Sequence, residues 1–140
     1  MTYILDASVA LKWYLPGSGQ DRADRVLRFL LRSPRQFILP ELFLYEVLAV
    51  LYRHHPRAHE VYSLHVNRIV RSGVLRYPLT PGITDRIPHF VRKGLTGYDA
   101  VYAALAQEME GVWLTFDTKA HNLIADSRIS VDLNRQEIPV

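Results

Sequence analysis

Residues 3–14 read YILDASVALKWY and carry the first signal of the fold. Residues 3–5 form a short apolar run typical of a buried strand, and Asp6 follows it directly. Apolar residues then recur at helical spacing until Pro16 and Gly17 end the pattern, so we expect a helix over residues 8–14. A strand, a single acid and a helix in this order are typical of the first unit of an α/β fold.

The rest of the chain alternates short apolar runs with longer helical segments, which predicts an α/β fold with a twisted, mainly parallel sheet. Further strands are expected at residues 37–39, 75–79, 112–116 and 129–133. Pro78 would confine the 75–79 strand to an edge of the sheet. Further helices are expected at residues 20–32, 41–54, 58–71, 84–92, 98–110 and 119–125, with Pro88 in the first turn of its helix or as a kink.

Composition restricts the class of protein. The 140 residues fit one compact domain over residues 1–140. The absence of cysteine excludes disulfides, thiolate metal sites and cysteine nucleophiles. The formal net charge is +3, and arginine supplies 14 of the 17 basic residues, which is compatible with a polyanionic partner and equally with ordinary ion pairs.

An acid at position 6 argues against a signal peptide, and no apolar stretch could span a bilayer, so we expect a soluble cytoplasmic protein with no membrane contact.

Two acids follow predicted strands at the point where each strand ends. Asp6 follows residues 3–5, and Asp117 follows residues 112–116. Ligands of open parallel sheets gather at the carboxyl ends of the strands, so both carboxylates are placed for function. The alternative is that each acid only caps the helix after it. Finding the same placement twice favours a site.

Two further acids lie on predicted helices. Glu46 is in mid-helix, and its neighbours one turn away in both directions are all apolar: Leu42, Phe43, Ala49 and Val50. A buried carboxylate needs a cation or a hydrogen-bond donor, so Glu46 indicates either a functional site or a structural ion pair with an arginine. Asp99 opens another helix, which is an ordinary place for an acid on dipole grounds.

If the four acids Asp6, Glu46, Asp99 and Asp117 converge, their mutual repulsion must be offset by cations. Ligands that are all oxygen, with no cysteine, favour Mg²⁺ or Mn²⁺ over Zn²⁺. The six histidines form no HExxH pattern and are expected in structural or surface positions.

Four segments of the chain form a recognisable set: LDASVALKW at residues 5–13, PELFLYEV at 40–47, LTGYDAVYAALA at 95–106 and LTFD at 114–117. In order and spacing they resemble the motifs of PIN-domain ribonucleases, especially the VapC toxins of bacterial and archaeal toxin–antitoxin pairs. The resemblance runs over nearly the full chain. One departure is Ala49, where the second motif often has an asparagine.

The resemblance implies a PIN fold and a metal-dependent endoribonuclease, with Asp6, Glu46, Asp99 and Asp117 as the catalytic, metal-binding acids. It also implies that Ser8 and Thr115 support the carboxylates or the waters on the metal. The partners it implies are an RNA substrate, a VapB-type antitoxin that covers the acidic site, and a second copy of the chain in a homodimer. Trp13, Tyr14 and Tyr45 are candidate interface residues, with core packing as the alternative.

Basic residues should hold the RNA backbone, and the candidates are Lys12, Arg86, Arg92 and Lys93; the alternative for each of them is an ordinary solvated surface charge. Two other functions stay open at this point. A non-catalytic RNA-binding PIN relative would typically lack part of the acid quartet, which is complete here. A receiver-like domain would accept a phosphoryl group on Asp6 or Asp117, but it normally has paired acids near the first strand and a lysine late in the chain.

Overall fold

The structure is a computed structural model that describes residues 1–140. Its centre is one five-stranded sheet in the order β3-β2-β1-β4-β5, and every neighbouring pair of strands is parallel. The strands are β1 Tyr3–Leu5, β2 Phe37–Pro40, β3 Leu75–Tyr77, β4 Val112–Thr115 and β5 Ser130–Asp132. The predicted α/β class with a parallel sheet is therefore confirmed.

Helices connect the strands, as parallel pairing requires. They are α1 Ala7–Tyr14, α2 Gln20–Arg32, α3 Glu41–His54, α4 Ala58–Val61, α5 Asn67–Val70, α6 Pro81–Arg92, α7 Gly97–Glu108 and α8 Thr118–Ile124. Short 3₁₀ turns at Pro34–Gln36 and Ala125–Ser127 complete the path. No helix combines the length and the apolar character that crossing a bilayer would require.

The strand order places a topological switch point beside the central strand. From β1 the chain moves outward to β2 and β3, and it then returns to place β4 and β5 on the other side of β1. In open parallel sheets, the crevice beyond the carboxyl ends of the strands at such a point is where ligands bind. The ends of β1 and β4 therefore lie where a functional site is expected.

A single cluster of 33 buried apolar residues forms the core. The run Ala100–Ala106 of α7 is buried at every position except Val101, and four of its residues are alanines, so this helix packs closely on β1, β2 and β4. Gly111 lies between α7 and β4. A side chain does not fit at this position, because a Cβ there would stand 2.8 Å from the carbonyl oxygen of Thr2. Close packing of α7 carries its first turn towards the carboxyl edge of the sheet.

Two predicted helices differ from the structure. The 58–71 segment is one helical run interrupted by a π-helical turn at Tyr62–Val66, which separates α4 from α5. The helix expected at residues 84–92 begins earlier, because the Thr80 hydroxyl caps it by accepting a hydrogen bond from the Ile83 N–H and Pro81 is suited to its first turn. Pro88 consequently lies inside α6 rather than in its first turn.

The predicted third strand is shorter than expected. β3 ends at Tyr77, one residue before Pro78, and it lies at the edge of the sheet beside β2. The edge position follows from the proline, which has no N–H to donate to a further strand.

Candidate active site

Two of the predicted acids lie at the switch point of the sheet. Asp6 directly follows β1, and Asp117 follows β4, the parallel neighbour of β1. The N–H of Asp6 donates to the carbonyl of Leu114 at 3.2 Å, which ties the end of β1 to β4. This placement agrees with the expectation that both strands present an acid at the carboxyl edge of the sheet.

Glu46 and Asp99 reach the same edge from helices. Each acid raises the pKa of the next through its charge: Glu46 acts on Asp6, Asp99 on Glu46, and Asp117 on Asp99, although burial is the larger cause in all three cases. Carboxylates affect one another in this way only when they are close. The four acids therefore form a continuous row in the order Asp6, Glu46, Asp99 and Asp117, which we call the acidic edge.

Asp6 is the most buried member of the acidic edge, with 8% of its surface exposed. Its Oδ2 accepts a hydrogen bond from the Ser8 N–H at 2.8 Å and so caps α1. Its Oδ1 accepts one from the indole N–H of Trp113, also at 2.8 Å. Burial raises its pKa to about 6 despite these donors, and the Glu46 charge adds to the effect. The structure thus shows Asp6 as a helix cap, and its role in a functional site stays a prediction.

Glu46 is half-buried, so it lies at the border of the inward face of α3 rather than within it. Its neighbour Ala49 is exposed, which the apolar sequence pattern alone does not reveal. The Oε1 atom of Glu46 accepts a hydrogen bond from the Tyr102 hydroxyl at 2.7 Å. Burial raises the pKa of Glu46, the Tyr102 donor opposes this, and the charge of Asp99 raises it further. No arginine pairs with Glu46, so the alternative of a structural ion pair is wrong.

Asp99 and Asp117 form the more open end of the acidic edge. Asp99 is half-buried in the first turn of α7, where its N–H donates to the capping hydroxyl of Thr96 at 3.1 Å. Asp117 is exposed and caps α8, since its Oδ1 accepts from the Ala120 N–H at 2.9 Å. The acidic edge therefore grades from a buried carboxylate at Asp6 to one in contact with solvent at Asp117.

The two predicted supporting hydroxyls shape the turn that carries Asp117. The Ser8 hydroxyl accepts a hydrogen bond from the Phe116 N–H at 3.1 Å, and the Thr115 hydroxyl accepts one from the Asp117 N–H at 3.0 Å. The Ser8 hydroxyl also helps to lower the pKa of Asp6 against the effect of burial. Both hydroxyls therefore act on the backbone around the acidic edge, and Ser8 also acts on a carboxylate.

The acidic edge carries no compensating positive charge. The protein has seven ion pairs, and none of them includes Asp6, Glu46, Asp99 or Asp117. At the same time, no three acids already stand close enough together to enclose a metal ion. The row is thus an assembly of neighbouring carboxylates that a cation would have to draw together.

Of the predicted RNA-binding residues, Lys12 lies beside the acidic edge. It lines an open cleft of about 430 Å³ with Ser8, Phe116 and Asp117. Its ammonium group donates to the carbonyl of Ser18 at 2.7 Å and lies 4.6 Å from the centre of the Phe116 ring. It is therefore positioned near Asp117 and held in place.

The other three basic candidates differ from Lys12 in their surroundings. Arg86 bonds to Glu108 at 2.6 Å, near the end of α7 that lies about 13 Å from Asp99 at 1.5 Å per residue. Lys93 pairs with Asp126 at 2.9 Å, beyond the far end of α8. Arg92 is exposed on the last turn of α6. Closeness to Asp99 in sequence is thus a poor guide here, because Arg86 and Lys93 have partners away from the acids.

Comparison with known families agrees with the motifs and the fold. A family model described as the PIN domain matches residues 3–125. The chain belongs to the PIN-domain family. The resemblance of the four sequence motifs to this family is therefore confirmed. The alternative that the chain is a receiver-like domain is wrong. No curated protein matches the chain in sequence.

Solved structures share this PIN fold at low sequence identity. A toxin–antitoxin complex from Klebsiella pneumoniae has a TM-score of 0.68 and 20% identity, covering 98% of this chain and 100% of that one. FitAcB from Neisseria gonorrhoeae has a TM-score of 0.73 and 15% identity, covering 96% and 100%. VapC20 from Mycobacterium tuberculosis, a toxin that cleaves the sarcin–ricin loop, has a TM-score of 0.65 and 16% identity, covering 94% and 98%.

The donor set of this PIN domain suits a hard divalent cation. Every group in the acidic edge is a carboxylate, and oxygen ligands are those that Mg²⁺ and Mn²⁺ prefer. Burial and mutual repulsion raise the pKa values of Asp6, Glu46 and Asp99, and a cation between them would favour their charged forms. The residues present therefore fit such an ion.

Two residues of the site were not found from the sequence. Tyr102 and Trp113 are buried aromatic residues that donate hydrogen bonds to Glu46 and Asp6. Trp113 pairs with Ile4 in the register of β1 and β4, so it lies on the same face as Asp6 and diagonally adjacent to it. That relation becomes visible only when the register of the two strands is known.

Proposed function

We propose that this PIN domain, spanning residues 1–140, is a metal-dependent endoribonuclease that hydrolyses phosphodiester bonds in RNA. One observation carries the proposal: four neighbouring carboxylates lie in a row at the acidic edge, and none of them forms an ion pair with a basic side chain. Acids that serve only structure are normally paired or solvated. A row that is partly buried, repulsive and unpaired is what a cation-dependent site requires.

The acids Asp6, Glu46, Asp99 and Asp117 would hold Mg²⁺ or Mn²⁺. When bound, such an ion activates water for attack and offsets the negative charge that develops on the phosphate. Tyr102 occupies Oε1 of Glu46, which leaves Oε2 as an acceptor. Capping of α8 occupies Oδ1 of Asp117, which leaves Oδ2. The hydrogen bonds within the protein therefore orient these carboxylates and leave one oxygen of each for the site.

Lys12 is the basic residue best placed to contact an RNA phosphate beside Asp117. Because it is already held by Ser18 and Phe116, its ammonium group would lose little freedom on binding. Arg92 is exposed and remains a candidate for a contact with the RNA backbone, whereas Arg86 and Lys93 would first have to leave their ion pairs. Phosphate contacts of this kind position the RNA and do not select its sequence.

We further propose that the protein is the toxin of a VapBC pair, acts in the cytoplasm and forms a homodimer. The similar folds of a toxin–antitoxin complex and of an RNA-cleaving toxin support this role. The lining of an apolar cleft of about 260 Å³ includes Tyr45 and Tyr98, which directly precede Glu46 and Asp99 in the chain, and the exposed Leu79. Exposed apolar surface next to a site is typical of an interface, so a VapB-type antitoxin or a second copy has surface to bind here.

An RNA cleavage assay with and without Mg²⁺ tests the proposed activity. We expect wild type to cut single-stranded RNA only with the metal, and Asp99→Asn and Asp117→Asn to lower the rate by at least about 100-fold. Asp85→Asn is the matched control, because Asp85 is an exposed acid on α6 with no ion pair. Equal cleavage by wild type and both site variants would contradict the proposal, and no cleavage by wild type would favour a non-catalytic RNA-binding role.

A further inference from the structure

Two buried aromatic side chains form a bridge behind the acidic edge. Tyr102 of α7 and Trp113 of β4 are almost completely buried, with 1% and 0% of their surfaces exposed. Their rings are stacked, with centres 5.7 Å apart and planes inclined by 8°. The two side chains therefore behave as one rigid unit between the helix and the sheet.

Each polar end of this unit donates to a carboxylate of the acidic edge. The Trp113 indole N–H donates to Oδ1 of Asp6 at 2.8 Å, and the Tyr102 hydroxyl donates to Oε1 of Glu46 at 2.7 Å. Asp6 ends β1 and Glu46 lies on α3, so the unit joins acids from two separate elements. Asp6 also accepts from the Ser8 N–H, so each of its oxygens has one donor, whereas Tyr102 is the one donor on Glu46; both carboxylates keep further lone pairs available.

Satisfying a buried N–H or O–H group would not by itself require a carboxylate. Elsewhere in the protein, comparable donors use backbone carbonyls: the Trp13 indole N–H donates to the carbonyl of Ala23 at 2.7 Å, and the Tyr62 hydroxyl donates to that of Leu44 at 3.2 Å. Only Trp113 and Tyr102, among these aromatic donors, reach members of the acidic edge. Their partners are the two acids whose repulsion would otherwise drive them apart.

We infer that Trp113 and Tyr102 are positioning residues that orient the carboxylates of Asp6 and Glu46 for binding a divalent cation. The inference rests on the proposed function for the cation, but it concerns metal affinity and can be measured without RNA. Both aromatic side chains are almost completely buried, so neither is placed to contact a substrate itself. Both act through the orientation of a carboxylate oxygen, as hydrogen-bond partners of metal ligands do in other metal sites.

Mn²⁺ binding, followed by the electron paramagnetic resonance signal of the free ion, tests this role directly. Tyr102→Phe removes one hydroxyl and keeps the stacked ring, and Trp113→Phe removes the indole donor. We expect each change to weaken Mn²⁺ binding by about 10-fold or more. The matched controls, Tyr62→Phe and Trp13→Phe, remove the same groups from backbone acceptors and should leave Mn²⁺ affinity within about twofold of wild type.

Thermal unfolding and RNA cleavage separate positioning from a general loss of structure. If Trp113→Phe does not fold, Tyr102→Phe alone decides. At saturating Mn²⁺, Tyr102→Phe should recover most of the wild-type kcat with an unchanged KM for RNA. Wild-type Mn²⁺ affinity in a folded Tyr102→Phe variant would overturn the inference, as would an equal loss of affinity in Tyr62→Phe.

The proposed function and the positioning role fail in different ways. If wild type binds Mn²⁺ but cuts no RNA, the ribonuclease proposal fails, and the variants still judge the positioning role by their Mn²⁺ affinity. If wild type binds no Mn²⁺, both are overturned.

Discussion

The acids of this protein fall into two regions with opposite electrostatics. At the acidic edge, Asp6, Glu46, Asp99 and Asp117 repel one another and have no cationic partner. Elsewhere in the protein, six acids each pair with arginine or lysine, namely Glu41, Glu60, Glu108, Asp126, Asp132 and Glu137. The chain has 17 basic residues, so the acids of the acidic edge do not lack ion-pair partners because basic residues are scarce. The absence of such partners is specific to this edge.

The pKa values of the two regions move in opposite directions. Burial raises the pKa of Asp6 to about 6, whereas the Lys93 hydrogen bond lowers the pKa of Asp126. The pKa of Asp132 is lowered although burial opposes this, because Thr118, Asn134 and Arg135 all favour its charged form. The charged forms of the paired acids therefore stabilise the folded protein. The charged forms of the acids at the acidic edge destabilise it unless a cation is present.

Replacing one acid from each region should give the largest contrast. We expect Glu46→Gln to lower Mg²⁺-dependent cleavage by at least about 100-fold, because it removes a charge from the metal site while Oε1 can still accept from Tyr102. Glu108→Gln breaks the ion pair with Arg86 and should leave cleavage within about twofold of wild type. Initial rates at saturating Mg²⁺ measure both. Equal losses in the two variants would show that the regions do not differ in function.

The metal-free protein should lose stability as the pH rises from about 4 through about 6. Asp6 has a folded pKa of about 6, above its ordinary value of 3.8, so its protonated form favours the folded state. This contribution is complete below the unfolded pKa and disappears as the pH passes the folded one, a difference of roughly 3 kcal/mol at full ionisation. Urea unfolding at several pH values, with a carboxyl NMR titration of Asp6, measures it. A midpoint for Asp6 near 4 would contradict the prediction.

Asp132 should show the opposite behaviour, because its charge is already satisfied. Its carboxylate accepts hydrogen bonds from the Thr118 hydroxyl at 2.7 Å and the Asn134 N–H at 2.9 Å, and it is 1% exposed. We expect Asp132→Ala to lower the free energy of unfolding by about 2–3 kcal/mol at pH 7. Glu60→Gln, which removes an exposed ion pair with Arg57, should cost less than about 1 kcal/mol. Urea unfolding decides, and a neutral Asp132→Ala would contradict the structural role.

Much of the acidic edge could be predicted from local sequence. Asp6 and Asp117 were found because strand ends are visible as short apolar runs, and the sheet then brings such ends together. Glu46 was found because its neighbours along the helix are apolar, although the exposure of Ala49 shows that this pattern overstated its burial. Asp99 depended on the family motif, since an acid in the first turn of a helix is common.

The contacts that were missed depend on register and on the packing of distant elements. Trp113 and Asp6 are 107 residues apart, and only the pairing of Ile4 with Trp113 brings them together. Arg86 and Lys93 seemed close to Asp99 along the chain, but α6 packs alongside α7 and directs Arg86 to the opposite end of that helix. The π-helical turn at Tyr62–Val66 has no signal in apolar periodicity, because it widens a helix without ending it.

Thermal unfolding of wild type and Asp99→Asn, each with and without Mn²⁺, tests the central claim most directly. Asp99 is the cleanest position, because its hydrogen bond to Thr96 is donated by the backbone N–H, which an asparagine keeps, whereas an amide at Asp6 would face one of its two N–H donors. Without metal, Asp99→Asn should unfold at the same temperature as wild type or higher, since repulsion is relieved. Mn²⁺ should raise the unfolding temperature of wild type and have little effect on the variant. An Asp99→Asn variant that is less stable without metal, and that gains as much from Mn²⁺ as wild type, would contradict the claim that the acidic edge binds a cation.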